Sequence, residues 1–267
     1  MNYIQVSIEA GEEKQELLIC TLEDVGAIGF EQKDDILLAY FNENDFPSYD
    51  VHTELEGYRF QSDIIPEQNW NEEWEQNFKP VIVDKFCAVR AHFHQPVSTV
   101  KHEIIITPKM SFGTGHHATT YMMMQQMEDI NFIDKNVLDF GTGTGILAIL
   151  SEKCGASSVT AIDNDEWSFE NAGENILRNN CKKISIIHTS VLPENEFDII
   201  LANINKNIIL QYLPQLKNKS NKETLFLFSG LMSNDEEDIN TCAKKQGLHL
   251  LKQIEKNNWI CLLFSRD

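Results

Sequence analysis

The stretch Asn136–Ile149, NVLDFGTGTGILAI, decides the fold class. An apolar strand-like run meets a glycine-rich turn, and an apolar helix start follows at Ile146. Gly141, Gly143 and Gly145 therefore stand in a strand-to-helix turn, where the backbone must fold tightly and leave a ligand room to approach. Their spacing narrows the ligand. A dinucleotide fingerprint G-x-G-x-x-G would need glycine at 146, where Ile146 stands, and no Lys-Ser/Thr follows to complete a Walker-type phosphate cradle. The pattern is D-x-G-x-G-x-G. Asp139 sets a carboxylate beside the turn, which would repel a pyrophosphate and suit a cation.

Just downstream, VTAIDND ends a second strand with Asp163, 22 residues after Gly141 (163 − 141). That is the expected place for a carboxylate accepting ribose hydroxyls. A nucleoside carrying a cation instead of a phosphate is S-adenosyl-L-methionine. Asp165 suits a different role, capping the helix that starts near Trp167. At the end of a later strand, in LANIN, stands Asn203, where an open α/β sheet exposes residues to its ligand cleft. Its side-chain oxygen could accept an N–H from a substrate amine.

Around this centre, strands and helices alternate: NVLDF, a helix from Ile146, SVTAID, a helix over WSFENAGENILRNN, ISIIH, FDIILAN, a helix over KNIILQYLPQL, TLFLFSG and a helix over NDEEDINTCAKKQ. This spacing predicts a parallel sheet with helices on both faces. The tail, LHLLKQI and WICLLFS, reads as a hairpin whose last strand runs antiparallel at or near one sheet edge. Upstream, ATTYMMMQQMEDI reads as a helix whose Met122, Met123, Met124 and Met127 belong to the core.

The first 64 residues show a βαββαβ order, the ferredoxin-like arrangement, and make a small α+β domain. Residues 65–80, acidic and amphipathic with Trp70 and Trp74 four apart on one helical face, predict a linker helix. Residues 81–267 form the larger domain, which opens with β-rich segments up to about Ile106.

A second FGTG, Phe112–Gly115 in SFGTGHHATT, starts 28 residues before Phe140 (140 − 112), but the flanks do not match, so the pair is not a repeat.

Composition sets outer limits. With 42% apolar residues among 267, the chain can bury a sizeable core, and disorder is not expected. Six scattered cysteines without a C-x-x-C pair point to neither a disulfide framework nor zinc, and suit a reducing cytosol. The net charge of −19 disfavours DNA or RNA as a partner. It suits solubility or the steering of a basic partner. No run approaches the roughly 18 to 20 apolar residues of a membrane span, and the N-terminus has no signal-peptide character.

Taken in order, SFGTGHHATT, VLDFGTGTGILAI, AIDND and LANIN resemble the ribosomal protein L11 methyltransferase (PrmA) family, and with the N-terminal domain, the tryptophan-bearing linker and FKPVIV the likeness covers essentially the whole chain. D-x-G-x-G-x-G alone names only the broad class of seven-stranded Rossmann-like methyltransferases. The upstream F-G-T-G-x-H-x-T-T block narrows it. The resemblance implies that this block, with Phe112 and Gly113, folds over S-adenosyl-L-methionine, that Thr120 contacts it, and that Gly141, Asp163 and Asn203 are further cofactor positions. It also implies a cytoplasmic enzyme that methylates lysine and N-terminal amines of ribosomal protein L11, with recognition by the N-terminal domain. We expect a monomer without resident metal, DNA contact or membrane attachment.

The chain departs from the family's Thr-His-Pro at His116-His117-Ala118, and reads Asn-Ile-Asn at 203–205 where Asn-Ile-Leu is commoner. His116 and His117 are weak candidates for proton acceptors. Asn205 could alter the acceptor pocket. Other readings are methylation of another protein, an RNA or a small molecule, and a non-catalytic S-adenosylmethionine-binding module.

Overall fold

The computed structural model describes residues 2–65, 78–107 and 113–266. The chain divides into two compact units, 1–77 and 78–267.

In the first unit, β1 (Tyr3–Glu9), α1 (Glu12–Asp24), β2 (Gly29–Lys33), β3 (Ile36–Asn42), α2 (Ser48–Glu54) and β4 (Phe60–Ile65) follow one another in the ferredoxin-like order. The strands pair antiparallel as β2-β3-β1-β4. Alternation with period two turns Ile4, Val6 and Ile8 of β1 to one face, where they share a core with Leu37, Phe41, Leu18, Leu22 and Val51. The linker helix expected over 65–80 begins on a residue that is instead the last of β4, and 78–80 belong to no regular element. Trp70, Trp74 and the rest of 66–77 lie outside the described residues.

The second unit opens with a three-stranded sheet, β5 (Val81–Val83), β6 (Cys87–Ala91) and β7 (His102–Ile106), in which β5 runs antiparallel and β7 parallel to β6. After α3 (Ala118–Met127) come β8 (Asn136–Phe140), α4 (Ile146–Lys153), β9 (Ser158–Asp163), α5 (Glu166–Arg178), β10 (Ile184–His188), β11 (Phe197–Asn203), α6 (Lys206–Asn218), β12 (Ser220–Met232), α7 (Glu236–Lys245), β13 (Leu248–Lys256) and β14 (Trp259–Arg266). Seven of these strands form one sheet in the order β10-β9-β8-β11-β12-β14-β13. Its strands from β10 to β12 are parallel, and β14 runs antiparallel to both neighbours.

The final strand is thus one place in from the edge, as its composition requires. Residues 260–264 of β14 are buried, whereas β13, with His249, Lys252, Glu255 and Lys256, is mostly exposed and takes the outside position. The hairpin turns at Asn257 and Asn258, both at positive φ, which asparagine tolerates well.

One face of the sheet packs Val137, Leu201 and Leu227 against α3 and α4; the other packs Leu138, Ile200, Phe226 and Phe228 against α6 and α7. The four methionines of α3 are core residues, each at most 1% exposed. Truncating any one to alanine would cost about 2–5 kcal/mol.

Strand β7 has an unusual neighbour. Asn171, Asn175 and Asn179, spaced by one helical turn along α5 and its C-terminal end, bond main-chain groups where another strand would pair. Asn179 accepts from Ile105 N (2.9 Å) and donates to Ile105 O (2.6 Å), Asn175 accepts from Thr107 N (2.8 Å), and Asn171 donates to Thr107 O (3.3 Å).

Among the described residues no helix is long and apolar enough to cross a membrane, and Cys87, Cys154, Cys181, Cys242 and Cys261 are unpaired. Burial pushes the Cys87 thiol up to about 12, so it stays an inert thiol.

Candidate functional site

Strands β8, β9 and β11 end side by side, and the residues just past their carboxyl ends form a cleft of about 400 Å³. Its floor is the glycine turn. Gly141 N and Thr142 N both donate to Ile162 O, at 2.9 and 3.1 Å, which ties the turn to the end of β9. Gly141, Gly143 and Gly145 all have positive φ (77°, 55° and 80°). At Gly141 space matters as well as φ: a Cβ would lie 2.4 Å from Ile204 Cγ2. At Gly145 it would meet Ala172 Cβ at 3.2 Å, so this glycine lets α4 approach α5 closely.

Asp139 behaves differently from expectation. It does not line the cleft. The side chain is fully buried beneath the turn, with Oδ2 accepting from Thr142 Oγ1 (2.6 Å) and Ala148 N (3.2 Å), while Oδ1 has no hydrogen-bond partner. Burial pushes its pKa up to about 7, the charge of Asp163 adds to the rise, and the two hydrogen bonds oppose it. The group shapes the turn from beneath.

Asp163 does face the cleft. Its Oδ2 accepts from Gly143 N (2.8 Å) and its Oδ1 from Asp165 N (3.0 Å), so the carboxylate is held rigidly while each oxygen keeps a further lone pair. Asp165 caps α5, accepting from Ser168 N at 2.8 Å. The two neighbouring carboxylates therefore divide, Asp163 facing the cleft and Asp165 capping the helix.

Asn203 stands at the end of β11. Its Nδ2 donates to Thr120 Oγ1 (3.1 Å), which fixes the amide's orientation and leaves Oδ1 buried with no hydrogen-bond partner. An orphaned acceptor at a cleft wall costs stability, about 1–3 kcal/mol, unless a ligand satisfies it. Two residues on, Asn205 lines the cleft and also caps α6, accepting from Ile208 N at 3.1 Å.

The two FGTG turns meet. Thr144 Oγ1 donates to Gly113 O at 2.7 Å, and Gly113, Thr120, Gly141, Gly143 and Asn203 surround one small recess. Phe112 lies outside the described residues. His117 caps α3 through its ring and rests edge-on against Trp259, centroids 4.8 Å apart.

These features fit a nucleoside-bearing cation: a carboxylate braced by backbone N–H groups, a turn that admits no Cβ, and an unsatisfied amide oxygen. Sequence reasoning missed several supports. Gly230 has φ +81°, and a Cβ there would lie 2.4 Å from Ile204 O, so this glycine admits the chain carrying Ile204 over the turn. Its signal was a lone glycine inside a strand pattern. Asn175 Nδ2 donates to Thr144 O (2.8 Å), linking the asparagine ladder to the glycine turn. The regular N-x-x-x-N-x-x-x-N spacing was visible, its partners were not. Tyr212, whose hydroxyl donates to Ser190 O (3.2 Å), completes the cleft wall and carried no signal.

Comparison with known proteins identifies the relatives of this chain. A family model described as ribosomal protein L11 methyltransferase (PrmA) matches residues 32–267. The ribosomal protein L11 methyltransferase of Porphyromonas gingivalis is 39% identical over 96% of this chain and 92% of that protein. The protein of that name from Chlorobaculum tepidum is 34% identical over 98% and 96%. Among solved structures, a ribosomal protein L11 methylase from Lactobacillus delbrueckii subsp. bulgaricus superposes with a TM-score of 0.66 at 31% identity, covering 71% of this chain and 99% of that one.

Proposed function

The chain belongs to the ribosomal protein L11 methyltransferase family, and from that premise we propose that it methylates lysine ε-amino and N-terminal α-amino groups of that ribosomal protein. It is a methyltransferase of the S-adenosyl-L-methionine-dependent class. When bound, this cofactor supplies a methyl group activated by a sulfonium. The protein's residues bind, orient and desolvate.

In this reading the outward lone pairs of Asp163 accept the ribose hydroxyls. Gly141 and Gly143 keep the cofactor's path along the turn free of side chains, with Gly145 packing the helix behind them. Gly113 and Thr120 close the opposite side. Asn203 has the central role, because its Oδ1 is the acceptor that an incoming amine's N–H would satisfy, aiming the nitrogen lone pair into the recess. Methyl transfer needs that alignment more than it needs a charged catalyst. The amine must arrive neutral, and desolvation in a cleft lowers an ammonium's pKa toward that form. No covalent bond to the protein is required.

The observation that carries this reading is the buried, unsatisfied Asn203 Oδ1, held by Thr120 beside the glycine turn. The N-terminal unit is assigned to recognition of the ribosomal protein, and the acidic surface to steering it, as a monomer in the cytoplasm without nucleic-acid contact. Intact-mass spectrometry of purified ribosomal protein L11, incubated with the enzyme and S-adenosyl-L-methionine, tests the proposal. Mass should rise in methylene steps with the wild type and not with Gly141→Arg. An unchanged mass alongside measurable cofactor binding would overturn the substrate assignment.

A further inference from the structure

His116 stands where the family resemblance has threonine, and nothing in the cleft requires a histidine there. Its surroundings supply a reason. Nε2 lies 2.8 Å from the carbonyl oxygen of Lys79, and Nδ1 lies 3.1 Å from Thr114 Oγ1. The ring also packs edge-on against Phe78 with centroids 4.7 Å apart, and Phe78 in turn stacks on His94 at 6.0 Å. A carbonyl oxygen only accepts, so Nε2 carries a proton. In the neutral ring Nδ1 then accepts from the Thr114 hydroxyl.

We propose that His116 is a positioning residue that pins the Gly113–Gly115 turn, over the glycine loop, to the main chain at Lys79. Lys79 is the second residue of the larger unit, where the chain enters it after residue 77. The turn is thereby held at two points. Thr144 Oγ1 grips Gly113 O from the cofactor side, and His116 grips Lys79 O from the other. Two of its glycines are at positive φ, 102° at Gly113 and 91° at Gly115, so the main chain gives the turn little stiffness of its own and side-chain anchors must supply it. Threonine at 116 is too short to span from this position to the Lys79 carbonyl. The histidine therefore supplies an anchor that a threonine could not.

The inference rests on reading the cleft as the cofactor site, and its test separates the two. Three variants divide the ring's functions: His116→Ala removes both nitrogens, His116→Asn keeps an acceptor at the Nδ1 position, and His116→Gln keeps a donor at the Nε2 position. Hydrogen exchange of the amides of residues 113–117 reads the turn without any ligand, and titration calorimetry with S-adenosylhomocysteine reads the cleft. His116 is exposed on the surface, so melting temperatures should stay within about 2 °C of wild type. His116→Ala and His116→Asn should speed exchange and weaken binding, each by roughly fivefold, the effect of one lost hydrogen bond. His116→Gln should stay within about twofold of wild type.

Wild-type exchange rates in His116→Ala would overturn the proposal, as would equal behaviour of His116→Asn and His116→Gln. Failure of His116→Gln together with the other two would assign the anchor to ring packing on Phe78 and overturn the hydrogen-bond role. Absence of S-adenosylhomocysteine binding in the wild type would instead overturn the cofactor reading and leave the exchange result standing.

Discussion

The turns at Gly113–Gly115 and Gly141–Gly143 share the residues Gly-Thr-Gly and are held by different means. The second is fastened through its main chain and from beneath: two of its amides bond Ile162 O, and Thr142 is tied to the buried Asp139. The first is fastened through side chains: Thr144 grips Gly113 O from the glycine loop, and His116, next to the turn, reaches out to Lys79 O. A tetrapeptide of this composition has no conformation of its own. What surrounds it decides whether it becomes a rigid floor or a clasp.

The difference can be challenged most strongly at Asp139, a titrating group sealed under the second turn. Its pKa is raised from 3.8 to about 7, so the folded state holds this proton more tightly than the unfolded state does. Stability should therefore fall as pH rises from about 4 to about 7, by about 4 kcal/mol for this group alone, and then level off. Denaturant melts across that range should show the decline in wild type and lose it in Asp139→Asn. A parallel decline in both would remove Asp139 as its source.

Next in size is a pair of glycine substitutions. Gly141→Ala places a methyl 2.4 Å from Ile204 Cγ2, whereas Gly113→Ala places one 3.1 Å from a threonine hydroxyl. S-adenosylhomocysteine affinity by calorimetry should drop about 100-fold in the first and about fivefold in the second. Equal losses would mean that both turns are equally unyielding.

A third comparison sharpens the floor itself. Asp163→Asn should weaken the same ligand by about tenfold, while Asp165→Ala should leave affinity unchanged and cost about 1 kcal/mol of stability as a lost helix cap. The smallest expected effect is that of Thr144→Val, which removes the bond joining the two turns. It should weaken binding about threefold, and no change at all would show that the turns function independently.

The floor was legible in the sequence because a strand-to-helix turn with this glycine spacing, followed by Asp163 at the end of the next strand, is set by local geometry. Asn203 was legible for the same reason, as a strand-end residue in an open sheet. Asp139 was recognised as part of the motif but given the wrong direction: β8 is buried on both faces, so alternation could not tell a side chain facing the cleft from one beneath the turn. The supports from distant segments were not legible. Gly230 and Ile204 meet only through strand order, and His116 reaches Lys79 across 37 positions. Hydrophobic period and motif spacing encode what lies a few residues apart. They are silent on which side chains the finished sheet brings together.

The asparagine ladder has a consequence beyond holding β7 in place. The outer margin of a sheet ordinarily presents unpaired amides and carbonyls, a template on which another chain can add itself as a strand. At Ile105 and Thr107 those groups are already engaged by amide side chains of α5, which have two donors and an acceptor but no repeating backbone to pass on. The ladder supplies the hydrogen bonds of a neighbouring strand without offering a new margin of its own. In a crowded setting, where partly folded copies collide, this part of the molecule is closed to runaway strand addition.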